Sequence, residues 1–160
     1  MISSHHRPLF AELGTTYDAF MFRYNAAHPG AEREIFPQLG EHRPATVAFT
    51  ATRWGTLLKP ALLPATERAP RASDCYRFAL TNPSVDVCLA GPKDDAELDE
   101  ALAAVDRGPM SEDELAWMRR VGAHVRDATK TSGRGFAMSL GDRIARAFTC
   151  GSPPKQLTAG

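Results

Sequence analysis

The chain has 160 residues, 43% of them hydrophobic, enough for about one domain with one core. Lys plus Arg and Asp plus Glu both total 19, and this zero balance argues against nucleic acid or a membrane surface, which attract a basic excess. No apolar run approaches the roughly 20 residues of a membrane span, and the polar, His-rich opening from Met1 to Pro8 is not a signal peptide. Cys75, Cys88 and Cys150 are an odd set without CxxC spacing, which predicts reduced thiols in a cytoplasmic protein.

In chain order, Ile2 to Ser4 is a partial strand, and Pro8 to Leu13 has Pro at a first helical position. Ala19 to Tyr24 (AFMFRY) is the first full apolar run of strand length. Ala31 to Leu39 follows with helical character, Ile35 and Leu39 lying four apart. Ala45 to Thr50 (ATVAFT) is the next strand, and the Pro-rich Lys59 to Ala72 a loop. Ser73 to Leu80 reads as a helix opening on a Ser-Asp cap, and Val85 to Ala90 (VDVCLA) as the last strand. Asp94 with Glu97 forms a capping-box pattern, Leu98, Ala101, Leu102 and Val105 recur at helical spacing, and Gly108-Pro109 stops the helix. A second capping box, Ser111 with Glu114, starts a helix with Leu115, Met118 and Val125 inward. Beyond Arg126, TKTSGRG reads as a linker, residues 136–148 as a short helix, and Gly151 to Gly160 as a disordered tail. Alternation of strand and helix predicts a parallel sheet with helical crossovers.

Ligands of parallel α/β folds lie at the carboxyl ends of the strands. Those ends are Tyr24-Asn25, Thr50 to Gly55, and Gly91 to Asp94. The last joins a Gly turn, the Lys93 cation and a helix start, which together suit an anion. Plainer readings exist for each. Phe49 and Trp54 suit a core, Asn25 a turn, Cys88 a buried strand, and Asp94 and Glu97 are complete as helix caps. His5 and His6 fall on opposite faces of an extended segment with no third ligand, so no metal is expected.

Order and spacing carry a resemblance. The run Val87 to Leu102 (VCLAGPKDDAELDEAL) resembles the last strand and following helix of aldo/keto reductases, with Gly91, Leu98 and Glu100 fitting the pattern. Glu97 stands where Gln or Arg is usual and Ala101 where Asn is usual, which removes groups that contact the adenosine end of the cofactor. Val47 to Leu58 (VAFTATRWGTLL) resembles the penultimate strand and its Gly-Leu-Leu turn, through Gly55 and Leu57. There Phe49 takes the place of the aromatic that stacks on the nicotinamide, and Thr50 that of a small hydroxyl residue near the pyrophosphate. Phe22 to Glu34 resembles the Tyr-Asn strand end, with Met21 where many members place Gln. Ile2 to His5 resembles the Ser-Asn turn of the fifth strand, Ser3 matching and Ser4 replacing Asn. The family's catalytic Asp, Tyr, Lys and His come from its first four strands, and Tyr17, Tyr24 and Tyr76 match none of their positions.

The expected fold is therefore α/β, a partial TIM barrel of four parallel βα units over residues 1–125, with a C-terminal extension over 126–160. What the resemblance implies is the cofactor half of an NAD(P)-dependent carbonyl reductase without its catalytic half. Ser3, Ser4, Asn25, Phe49, Thr50, Thr52, Gly55, Gly91, Lys93 and Glu100 are its implied cofactor-binding residues, NADP or NAD its weakly held cofactor, and no catalytic residue is carried. An open half-barrel exposes two edges and an apolar face, so a homo-oligomer or a complementary half-barrel is expected. A start at Met-Ile, where the strand would open with Gly, suggests a truncated barrel. The alternative is a non-catalytic nucleotide-binding or assembly remnant.

Overall fold

Residues 1–4, 10, 16–41 and 43–149 are described by the computed structural model, 131–149 by backbone alone. Strand β2 (Ala19–Arg23) alternates half-buried and buried positions, as a strand with one well-covered face does. Phe20 and Phe22 point to that face and are fully buried. They continue a column of rings. Phe10 meets Phe20 edge-on at 5.0 Å, Phe22 meets Phe36 at 5.7 Å, and Tyr24 lies between Phe36 at 5.3 Å and Phe78 at 5.6 Å. Each such pair adds roughly 0.5–1.5 kcal/mol beyond its buried area.

Strand β1 (Ile2–Ser4) pairs with one side of β2 and β3 (Ala45–Phe49) with the other, and β4 (Val87–Cys88) pairs with β3. All three pairings are parallel and the sheet order follows the chain order, leaving the sheet open at β1 and β4. Register sets Phe20 beside Thr46, Phe22 beside Ala48 and Ala48 beside Cys88 on the helix-covered face. Met21, Val47 and Val87 form the opposite face, because side chains alternate with period two. The architecture is the expected one, an α/β partial barrel whose sheet does not close.

Three element boundaries differ from the sequence reading. The last strand shortens from Val85–Ala90 to Val87–Cys88 because Asp86 spends its side chain on the ladder. Its carboxylate accepts from Thr46 N at 2.7 Å and from the Arg43 guanidinium at 2.6 Å. The Ala31–Leu39 helix is a single turn, α1 (Ala31–Glu34), followed by the 3-10 turn Phe36–Gln38. Pro37 has no N–H to continue the helix, and the backbone leaves α-helical geometry at Ile35, with φ of −121° and ψ of −57°. Helix α2 (Ala72–Thr81) begins one residue early, where the Asp74 carboxylate accepts from Arg71 N at 2.9 Å.

Helix α3 (Asp95–Arg107) starts where Asp94 Oδ1 accepts from Glu97 N at 2.9 Å and ends at Gly108, whose φ of 67° suits glycine. Glu97 reaches back to Lys93 N instead of closing the box on Asp94. Helix α4 (Glu112–Thr149) has the full reciprocal box. Ser111 N donates to Glu114 at 2.9 Å and Glu114 N to Ser111 Oγ at 3.3 Å. It buries Met118, Val121 and Val125, with Leu115 half-buried. At Gly122 an added Cβ would lie 2.1 Å from the Ala26 carbonyl oxygen, so α4 approaches the loop after β2 as closely as only glycine permits. The buried Arg77 guanidinium fastens the turn between α3 and α4, donating to Gly108 O at 2.8 Å, Pro109 O at 3.0 Å and both Glu114 oxygens.

The expected linker after Arg126 is helical: α4 runs through TKTSGRG to Thr149. Glycine costs a helix only about 1 kcal/mol each, so composition alone does not break it. The chain divides into compact units Met1–Arg126 and Asp127–Gly160. The expected helix at Pro8–Leu13 (Phe10 apart), His5 and His6, Cys150 and the 151–160 tail lie outside the described residues.

Candidate functional site

At the carboxyl ends of β3 and β4 lies a cleft of about 450 Å³. Its first wall is the loop leaving β3, through Thr50, Ala51, Thr52, Trp54, Gly55 and Leu58. Its second comes from β4 and α3, through Leu89, Gly91, Pro92, Glu97 and Glu100, and Ala72 and Tyr76 of α2 contribute to the lining. The first wall is held in an uncommon backbone conformation. Thr50, Arg53 and Trp54 have φ of 58°, 53° and 52°, followed by Gly55 at 74°. A left-handed β-branched residue costs of order 1–3 kcal/mol and persists where surrounding structure imposes it. Asn25 supplies part of that constraint. Its Nδ2 donates to Thr50 O at 2.8 Å, while its Oδ1 accepts from Ala27 N at 3.1 Å and His28 N at 2.9 Å. The turn-forming reading of Asn25 therefore holds, and the same side chain braces the cleft wall.

Thr50 Oγ1 is buried without a hydrogen-bond partner, on a residue that lines the cleft. Unpaired buried hydroxyls cost free energy and are uncommon in folded proteins, so this oxygen is an unmet hydrogen-bonding group beside the cleft.

The second wall is acidic and internally paired. Glu100 accepts from Ser73 Oγ at 2.6 Å, Ser73 N at 3.2 Å and Arg71 Nε at 3.1 Å, with Arg71 Nη2 on its second oxygen. Burial works against ionisation of Glu100, but these hydrogen bonds outweigh it and hold the carboxyl below its usual range. Lys93 Nζ lies 2.8 Å from Glu97, which raises the lysine and lowers the glutamate through their hydrogen bond. The start of α3 thus carries Asp94, Asp95 and Glu97 of its own, and these occupy the positive end of the helix.

Of the residues singled out from sequence, Thr50, Thr52, Gly55, Gly91 and Glu100 line this one cleft. Asn25 touches it through Thr50. Ser3 lies on β1 and Phe49 ends β3, neither on its lining, Ser4 is the last residue of β1, and Lys93 stands outside the cleft, bound to Glu97. Sequence reasoning missed Trp54 and Tyr76 as lining residues, and took Glu97 as a helix cap and a departure from the resemblance rather than as part of a site. Trp54 suits a core by composition yet is 72% exposed. Its signal lay in its position one residue before Gly55 on a strand-end loop.

Cys88 and Cys75 are not activated, since burial pushes the Cys88 thiol up to about 12 and that of Cys75 further. Tyr24 is buried in the aromatic column, and burial together with its 2.7 Å hydrogen bond to Glu32 raises its hydroxyl well above the ordinary range. It is a structural residue.

An open parallel sheet with a strand-end cleft defines the class as a partial α/β barrel, and comparison with solved structures gives that class a closer likeness. The chain is similar to aldo-keto reductase AKR11C1 from Bacillus halodurans, in its holo form (TM-score 0.60, 19% identity) and its apo form (TM-score 0.60, 19% identity). The match covers 75% of this chain and 48% and 49% of the two solved chains, so this chain spans about half their length. At this identity the likeness is one of fold. No family model and no curated protein matches the sequence.

Proposed function

We propose that this chain is the cofactor-binding half of an aldo/keto reductase-type oxidoreductase, using NAD or NADP. One observation carries the reading: five residues implied by the sequence resemblance, drawn from two separate strand ends and helix α3, line a single cleft. The residues present fit a dinucleotide in kind. Thr50 offers an unpaired buried hydroxyl, and Gly55 and Gly91 have open space where a side chain would stand, allowing close backbone approach. When bound, the nicotinamide supplies a hydride to a carbonyl. This chain orients the nucleotide through Thr50, Thr52, Gly55, Gly91 and Glu100, with Ser3, Ser4, Asn25, Phe49 and Lys93 as the outer members of the proposed set.

The proton needed by such a reduction comes from a positioned acid, and among the described residues neither Tyr24 nor Tyr76 is set up to supply one. Tyr24 is committed to Glu32, and the half-buried Tyr76, raised by its burial, has no basic neighbour acting on it. The isolated chain is therefore expected not to oxidise NADPH in an aldehyde-dependent way. Turnover that disappears in Tyr76→Phe would overturn this and make Tyr76 the acid.

The assembly reading is favoured by the far edge of the sheet. Val87 and Leu89 at β4, and Leu98, Leu102 and Val105 on α3, are exposed, and exposed apolar side chains beside an open sheet edge suit cover by a partner. We infer a second copy or a complementary half-barrel there, in a cytoplasmic protein whose cysteines stay reduced. Light scattering at micromolar concentration is expected to give a dimer or larger species; a clean monomer contradicts it.

A further inference from the structure

Resting on the dinucleotide reading above, we propose that this cleft prefers NAD(H) to NADP(H), with Glu97 and Glu100 as the residues that set the preference. Both carboxylates stand on one face of α3, three residues apart, and both line the cleft. Vicinal ribose hydroxyls are donors that a carboxylate accepts, and an acidic side chain on the ribose 2′-hydroxyl is the general device for binding the unphosphorylated nucleotide. A 2′-phosphate reverses the interaction. It brings close to two negative charges of its own and offers acceptors where acceptors already stand.

The nearby cations stand in ion pairs with these same carboxylates, so a 2′-phosphate must compete with Glu97 and Glu100 for them, whereas a ribose hydroxyl only adds a donor to each pair. Among the described residues no Lys or Arg lines the cleft. Lys93 lies 2.8 Å from Glu97, and Arg71 is held on both oxygens of Glu100. Arg53, on the β3 loop, donates to Val125 O at 3.3 Å. Asp94 accepts from Glu97 N and Glu97 from Lys93 N, so these two backbone donors beside the cleft already have carboxylate partners. An anion placed there displaces a carboxylate that the fold has installed.

The two tryptophans provide a readout independent of turnover. Trp54 lines the cleft and is exposed, while Trp117 is buried under the Arg68 guanidinium at 3.7 Å. The full chain is titrated with NADH and, separately, with NADPH at low and at physiological salt, following Trp54 quenching and the Gly91 amide shift, with Trp54→Phe as the fluorescence control. NADH is expected to bind at least tenfold more tightly at low salt, and the ratio to shrink as salt screens the repulsion. Glu97→Gln, at an exposed side chain, is expected to narrow the ratio by tightening NADPH and leaving the fold intact by circular dichroism. NADPH binding as tightly as NADH, or a ratio unmoved by Glu97→Gln, overturns the preference while leaving the dinucleotide reading standing. If neither nucleotide perturbs Trp54 or Gly91 at several millimolar, the dinucleotide reading fails and the preference fails with it.

Discussion

Helices α3 and α4 begin on similar sequence signals and meet different fates. Each opens with an acidic residue three positions after a capping side chain, and each carries an apolar stripe at helical spacing. The stripe of α4 is covered, with Met118, Val121 and Val125 at 0% exposure. That of α3 is bare, Leu102 being 54% and Val105 69% exposed. The periodicity specifies a helix with an apolar face, but what covers the face depends on the neighbouring elements. Alongside α4 run the buried residues after β2, approached closely enough to require Gly122. Helix α3 packs instead against α2, and among the described residues nothing covers Leu102 and Val105 on its outer side.

The contrast can be broken by substitution. Met118→Ala is expected to cost about 3 kcal/mol in denaturant unfolding, the usual loss for emptying a core site of that size. Gly122→Ala should cost about 2 kcal/mol, because a methyl at 2.1 Å from a backbone oxygen forces helix and loop apart. A wild-type midpoint in the Ala variant would show that α4 sits looser than its spacing implies.

A smaller effect follows from the turn that joins the two helices. Hydrogen bonding to Arg77, reinforced by Ser111 N, lowers the Glu114 carboxyl from 4.5 to about 2. A depressed folded value means that this stabilisation is complete above about pH 4.5 and is lost as pH falls toward 2. Acid titration of stability should flatten across that window in Glu114→Gln, and an unchanged slope would remove Glu114 from the acid response. The smallest change is expected at the bare face. In dilute protein Leu102→Ala should shift stability by no more than about 0.5 kcal/mol; a loss near that of Met118→Ala would mean that α3 is covered in solution.

The same comparison shows what was legible beforehand. Caps and strand runs fixed the order of elements and the parallel sheet, because Asp94, Ser111 and the Phe20–Phe22 alternation act locally. The single turn of α1 is legible at Pro37, a local signal that outweighs the Ile35–Leu39 spacing. The shortening of β4 was not readable, since it depends on Asp86 reaching Thr46 and Arg43, both some 40 residues away. In the cleft, Thr50, Thr52, Gly55, Gly91 and Glu100 were reached through order along the chain. Lys93 illustrates the limit: a lysine beside a helix start suggests an anion site, and only three-dimensional placement shows it bound to Glu97. Trp54 and Tyr76 were hidden because an aromatic residue carries the same letter in a core and on a cleft wall.

The claim that the strand-end cleft is a nucleotide site is tested most directly by following backbone amides during a titration with NADH. Incomplete enclosure leaves the ligand wet and its charge interactions screened, so binding in the millimolar range is expected, on the order of 4 kcal/mol. The amides of Thr50, Gly55 and Gly91 should shift together along one saturating curve, while those of the Phe20–Phe22 strand, buried on the helix-covered face, stay in place. Shifts confined to other surfaces, or none at several millimolar, would contradict it.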